Sequence, residues 1–190
     1  MSSRPKTQFR IILGVLVFLL AAGAYWFFLV YDREWRTRRT KWECRFNLLN
    51  LSVMLGFYAD DNGGVLPETL AALRTSGFFE EEHEDALHCP FAEPHPQREG
   101  PSRVPPEPDY EYLGGGLKLA EVPASFPLVF DKRGNHPDGT RSVLFADGSR
   151  DELTQEEFKG MLREQIGEYG EDSDLARRLK PHLASRPNDG

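Results

Sequence analysis

The run IILGVLVFLLAAGAYWFFLVY, residues 11–31, decides the architecture of this chain, for it holds 21 residues without a charge. At roughly 1.5 Å per residue a helix of that length spans about 31 Å, the thickness of the hydrocarbon layer of a bilayer. Tyr25, Trp26, Phe27, Phe28 and Tyr31 crowd its C-terminal end as interfacial aromatics do, while Arg4, Lys6 and Arg10 flank the other end. A buried core helix is a poor fit, because the rest of the chain is too polar to cover an all-round apolar surface. A cleaved secretory signal is the closer rival. Its apolar run would be shorter, and no small-x-small site follows among Val30, Tyr31, Asp32, Arg33 and Glu34. A retained transmembrane helix at 11–31 is therefore expected, behind a basic cytoplasmic N-terminus at 1–10.

Outside that run the chain is polar and acidic. Its 190 residues suffice for one small domain with appendages. Residues 1–41 carry 8 Lys and Arg against 2 Asp and Glu, whereas the remainder carries 15 against 28. A folded part of that sign is the opposite of a nucleic-acid binder, so no nucleic acid is expected as partner. Orientation is ambiguous from charge alone. Arg33, Arg36, Arg38, Arg39, Lys41 and Arg45 follow the span, and counting them would put the C-terminal part in the cytoplasm. Cys44 and Cys89 pull the other way. Neither has a second Cys or a paired His at metal spacing, so they read as a disulfide in an oxidising compartment or as two independent buried thiols.

From Trp35 the pattern is helical. Trp42, Phe46, Leu49, Val53 and Phe57 form one stripe and Leu48, Leu51, Leu55 and Tyr58 an adjoining one, so a helix with a wide apolar face is predicted. Asp60, Asp61, Asn62, Gly63 and Gly64 end it. With no Pro or Gly between 31 and 41, the span and this helix read as one continuous element. A short helix is predicted through Leu70, Ala71 and Leu73, with Phe78 and Phe79 as core anchors. The acidic run from Glu80 to Asp85 reads as a solvated loop, and the proline-rich stretch 90–108 as a surface loop. Strands are predicted at 110–113, 127–131, 142–146 and 150–153, the last two joined by an Asp147-Gly148 turn. Thr154 and Glu157 form a capping-box pair before the apolar face of Phe158, Met161, Leu162 and Ile166. The tail at 167–190 is polar and is expected to be partly disordered.

The run CRFNLLNLSVMLGFYADDNGGVLPETL, residues 44–70, resembles the first soluble helix of pseudopilin-like proteins related to type II secretion pseudopilins. Cys44, Asn47, Leu48, Tyr58, Ala59, Asp61, Asn62, Gly64 and Pro67 match as they stand. Cys89 with Pro90, the strand and glycines at 110–116, and PLVFDKRGNHPDGTRSVLFADGS at 127–149 are similar to the later part of the same proteins. There a His precedes an Asp-Gly hairpin by nine intervening residues; here ten separate His136 from Asp147. The similarity covers about residues 41–162. It implies an α+β, pilin-like fold, with a long N-terminal helix packed on a small antiparallel sheet and a C-terminal helix, over a domain at 32–166 on the periplasmic side of the inner membrane. It also implies a Cys44–Cys89 disulfide, which would add about 3–4 kcal/mol by loop-entropy arithmetic. One departure stands out. If Phe9 is aligned to the first mature residue of a pseudopilin, Gln8 replaces the Gly that the prepilin peptidase needs and Leu13 replaces the Glu that pairs subunits during assembly. A permanently anchored protein, not processed or polymerised in the usual way, is the expectation.

Chemistry-bearing residues cluster near one hairpin. Asp131, His136, Asp138 and Asp147 offer oxygen ligands and one imidazole for a divalent ion, and some major pseudopilins hold calcium in a C-terminal loop. The simpler reading is preferred: Asp147 caps its own turn and His136 is a loop residue. Ser142 and Ser149 could be set beside His136 and Asp131, but no nucleophile elbow or metalloprotease motif is present. Asn50-Leu51-Ser52 spells a glycosylation acceptor inside a helix and is read as chance. No cofactor, no metal and no catalytic residue are expected, so the chain is not read as an enzyme. Its expected partners are the lipid bilayer and other pseudopilin or secretion-system proteins. The alternative is a tethered module that captures a protein partner.

Overall fold

The computed structural model describes residues 4–77, 79–92 and 107–183. The chain forms two compact units, Met1–Lys41 and Trp42–Gly190. Helix α1, Arg4–Asp61, contributes to both. In the first unit the stretch Gly14–Tyr31 has a mean hydropathy of 2.1 and none of it is buried. Its length and composition suit a membrane anchor or a signal sequence.

In the second unit α1 buries Cys44, Leu48, Leu51, Leu55 and Ala59. Those positions recur at the spacing of one helix face. Of the two stripes in the predicted apolar face, the other is turned outward: Trp42 is 65% exposed, Phe46 45%, Val53 48% and Phe57 55%. Two apolar stripes compete for the sheet, and the one containing the small Cys44 and Ala59 lets the helix approach closely. The helix ends as its sequence requires. Gly63 and Gly64 take φ of 64° and 87°, which lets the Gly64 N–H reach back to the Ala59 carbonyl at 2.7 Å.

Two 3₁₀ turns follow. Leu70–Thr75 buries Leu70 and Leu73. Glu81–Leu87 occupies most of the acidic run that was expected to be a solvated loop. It is drawn inward because Ala86 and Leu87 join the core and Arg74 Nε donates to Glu84 Oε2 at 3.0 Å. Phe79 packs against the core as expected. The expectation for Phe78 and most of the proline-rich stretch, 93–106, lies outside the described residues.

The sheet is an antiparallel meander in the order β1 (Tyr110–Tyr112), β2 (Pro127–Asp131), β3 (Arg141–Phe145) and β4 (Arg150–Leu153). All five residues of β2 are buried because both of its faces are covered. Side chains alternate along a strand, so Phe130 packs its ring at a tilt on Phe158, centroids 4.9 Å apart, while its neighbour Asp131 faces Cys44 of α1. Helix α2, Gln155–Tyr169, opens with the predicted capping box: Thr154 N–H donates to Glu157 Oε2 at 2.8 Å and Glu157 N–H to Thr154 Oγ1 at 3.3 Å. Part of the tail expected to be partly disordered is folded, and residues 184–190 lie outside the described residues. Helix α3, Asp174–Leu179, buries Ala176 and Leu179, and Arg178 Nη1 donates to the Leu113 carbonyl at 2.9 Å. The result is α+β, with an N-terminal helix, a four-stranded antiparallel sheet and C-terminal helices.

Candidate functional site

Four elements that are distant in sequence converge on one buried point. Cys44 comes from α1, Cys89 from the end of the Glu81–Leu87 turn, Asp131 from the last position of β2, and His136 from the β2–β3 connection. Their ligand atoms all lie within 4.8 Å of one another. Exposure of Cys44, Cys89, Asp131 and His136 is 0, 3, 0 and 2%.

The sulfurs are 3.9 Å apart and both cysteines are free. A disulfide holds its sulfurs at about 2.05 Å, so the bond implied by the pseudopilin resemblance is not formed here although the partners are the expected two. Cys44 Sγ also lies 3.5 Å from Asp131 Oδ2, 3.6 Å from Ser142 Oγ and 3.8 Å from the Tyr110 hydroxyl. That hydroxyl donates to the His88 carbonyl at 3.2 Å, leaving its oxygen free to accept from the thiol.

His136 is oriented from outside. Thr140 Oγ1 gives its single proton to Asp138 Oδ1 at 2.7 Å or Glu152 Oε1 at 2.9 Å, so toward His136 Nδ1, 3.2 Å away, the oxygen accepts. The hydrogen-bond network therefore places a proton on Nδ1 and turns Nε2 toward the sulfurs. Nε2 is 3.0 Å from Asp131 Oδ2, yet the contact lacks hydrogen-bond geometry and Nε2 has no hydrogen-bond partner among the described residues. Phe91 lies against the imidazole, with ring centroids 4.7 Å apart. Asp131 is fixed too: the Ser142 N–H of β3 donates to Oδ2 at 2.9 Å.

The electrostatics follow from packing four such groups out of water. The facing Cys89 thiol, working against burial, brings Cys44 down to about 6. Cys89 is pushed strongly upward by Cys44 and by burial. Burial alone would lower His136, but the Asp131 carboxylate and the Cys44 sulfur outweigh it and raise the imidazole to about 10. Burial would raise Asp131, and His136 with the Ser142 N–H outweigh that, leaving its carboxyl below the ordinary range. The cluster is thus rich in electron-pair donors, and a positive charge placed among them would be stabilised.

Of the residues that sequence singled out, Asp131 and His136 belong to this cluster and Asp147 does not. Asp147 is exposed in the β3–β4 turn, where its Oδ1 accepts the Ser149 N–H at 2.8 Å. Asp138 supports Thr140 from the surface. Ser142 touches the cluster as a neighbour of Cys44, while Ser149 lies in the turn and forms no triad with it. Sequence reasoning paired the two cysteines only with each other, and it missed Thr140 and Tyr110, which no local motif marks. It also missed His88, buried with Nδ1 3.0 Å from Asp109 and Nε2 3.3 Å from Glu84. No protein-family model, no curated protein and no solved structure matches the chain.

Proposed function

We propose that this chain is a membrane-anchored structural or assembly protein of pilin-like build, held in the inner membrane by residues 11–31 with its folded domain on the periplasmic side. It acts by packing α1 against the corresponding helix of a neighbouring pilin-like subunit. One observation carries the reading. Trp42, Phe46, Val53 and Phe57 stand exposed on α1, on the same helix as the apolar span and away from the face that covers the sheet. A helix with a second apolar face in an otherwise acidic domain gains by burying it on another helix. Gln8 and Leu13 replace the residues that processing and ordinary filament growth require, which favours a permanently anchored component over a filament subunit.

Site-specific photo-crosslinking in membranes tests this. A crosslinking residue at Phe46 or Phe57 should give covalent adducts to a neighbouring subunit, mapped to its N-terminal helix. Adducts to lipid alone, or to the loops of an unrelated soluble protein, would overturn the reading, the latter in favour of a tethered capture module.

A further inference from the structure

We infer that Cys44, Cys89, Asp131 and His136 form a closed, tetrahedral site for a divalent zinc-type cation, which pins α1, the Cys89 loop, β2 and the β2–β3 connection to one another. The argument is geometric. Zinc bound by sulfur at about 2.3 Å and by nitrogen or oxygen at about 2.0 Å gives tetrahedral edges of about 3.8 Å (S···S), 3.5 Å (S···O) and 3.3 Å (N···O). The corresponding separations are 3.9 Å between the sulfurs, 3.5 Å from Cys44 Sγ to Asp131 Oδ2, and 3.0 Å from His136 Nε2 to Asp131 Oδ2. Each of these pairs is too far apart for a covalent bond, and all four ligand atoms lie within 4.8 Å of one another, close enough for one ion to draw them together.

The donor set carries the choice of metal. Two thiolates and an imidazole are soft to borderline ligands that select zinc over calcium or magnesium, and four protein ligands with none exposed describe a structural centre with no open position. His136 Nε2 is the second, independent observation: a buried nitrogen 3.0 Å from Asp131 Oδ2 that has no hydrogen-bond partner among the described residues. Metal-binding histidines characteristically donate their other N–H to an oriented acceptor, and Thr140, itself tied to Asp138 and Glu152, is that acceptor here. Ser142 N–H orients Asp131 in the same way, donating to its Oδ2. On binding, whatever protons the two sulfurs and the imidazole Nε2 carry pass to solvent; no electron is transferred. The site does not depend on the assembly role proposed above, since it concerns only the folding of this chain.

The test uses the full chain extracted in mild detergent without chelator. One zinc per chain is expected, with an X-ray absorption first shell of two sulfurs and two nitrogen or oxygen atoms. Replacement by cobalt should give the intense visible bands of a tetrahedral ion together with thiolate-to-cobalt charge transfer. Cys44→Ser and His136→Gln should abolish stoichiometric binding, and Asp147→Asn should leave it unchanged. Thr140→Val should keep the stoichiometry while weakening zinc affinity about 10- to 100-fold, the usual cost of removing an outer-shell partner. Where a cysteine variant fails to fold, the absorption spectrum of the unaltered protein decides by itself. A metal-free chain with free thiols, a metal-free chain with a Cys44–Cys89 disulfide, or zinc held in a shell without two sulfurs would each overturn the site.

Discussion

Glu84 shows how a residue can be read wrongly from its neighbours. Within an acidic run it looks like a solvated charge, but Arg74 and His88 both reach it and, against the effect of burial, hold its carboxyl below the ordinary value of 4.5. A depressed carboxyl stabilises the fold above its unfolded pKa, and that contribution disappears as pH falls through the folded value. The melting temperature of the native protein should therefore exceed that of Glu84→Gln at neutral pH, with the gap closing as pH is taken below 4.5; a pH series of thermal melts checks this. Gly115 is constrained by space. A Cβ there would sit 2.7 Å from the Glu68 carbonyl oxygen, so Gly115→Ala should cost about 1–3 kcal/mol in denaturant unfolding. At this scale the sequence announced chemistry but not company. In the sequence Asp131 and His136 are possible ligands only alongside Asp138 and Asp147, with His136 read by preference as a loop residue, and Asp147 in fact sits in its own turn. The cysteines at positions 44 and 89 belong with Asp131 and His136 instead. Metal spacing is legible when ligands share a turn or a helix face, and here each comes from a different element.

Elements were easier to read than their faces. The strands at 127–131 and 150–153, the Asp147-Gly148 turn and the Thr154–Glu157 cap follow from local rules, and the structure has each of them where those rules put it. Thr154→Ala should cost about 1 kcal/mol through the lost cap. Helix α1 is the instructive case. Periodicity shows that it has two apolar stripes but not which one the sheet covers, because that depends on how closely the helix can approach. The consequence is measurable. Leu51→Ala should lose about 2–5 kcal/mol of stability, whereas Phe46→Ser should change it by no more than about 0.5 kcal/mol and act instead on association in the membrane. Equilibrium unfolding and crosslinking yield, measured on the same two variants, separate the roles. Helix α3 escaped the sequence reading because its segment is polar overall, with Ala176 and Leu179 alone fully buried.

For the whole molecule, the folded unit has a small core and a buried cluster of Cys44, Cys89, Asp131 and His136 that touches four of its segments. Apolar burial fixes the meander and the helices on either side of it; the cluster fixes where α1 and the Cys89 loop end against the sheet. A zinc ion there would bind only the folded chain, and at about 1,000 times its dissociation constant would add about 4 kcal/mol. For a unit of this size that corresponds to a fall of roughly 8–16 °C in melting temperature when a chelator strips the metal. The most direct test is mass spectrometry of the intact chain extracted from membranes, recorded first under native and then under denaturing conditions with a thiol label. The account predicts an unprocessed N-terminus and one zinc per native chain, with both cysteines labelled once the metal is released. A native chain without metal, whose cysteines take up label only after reduction, would contradict it.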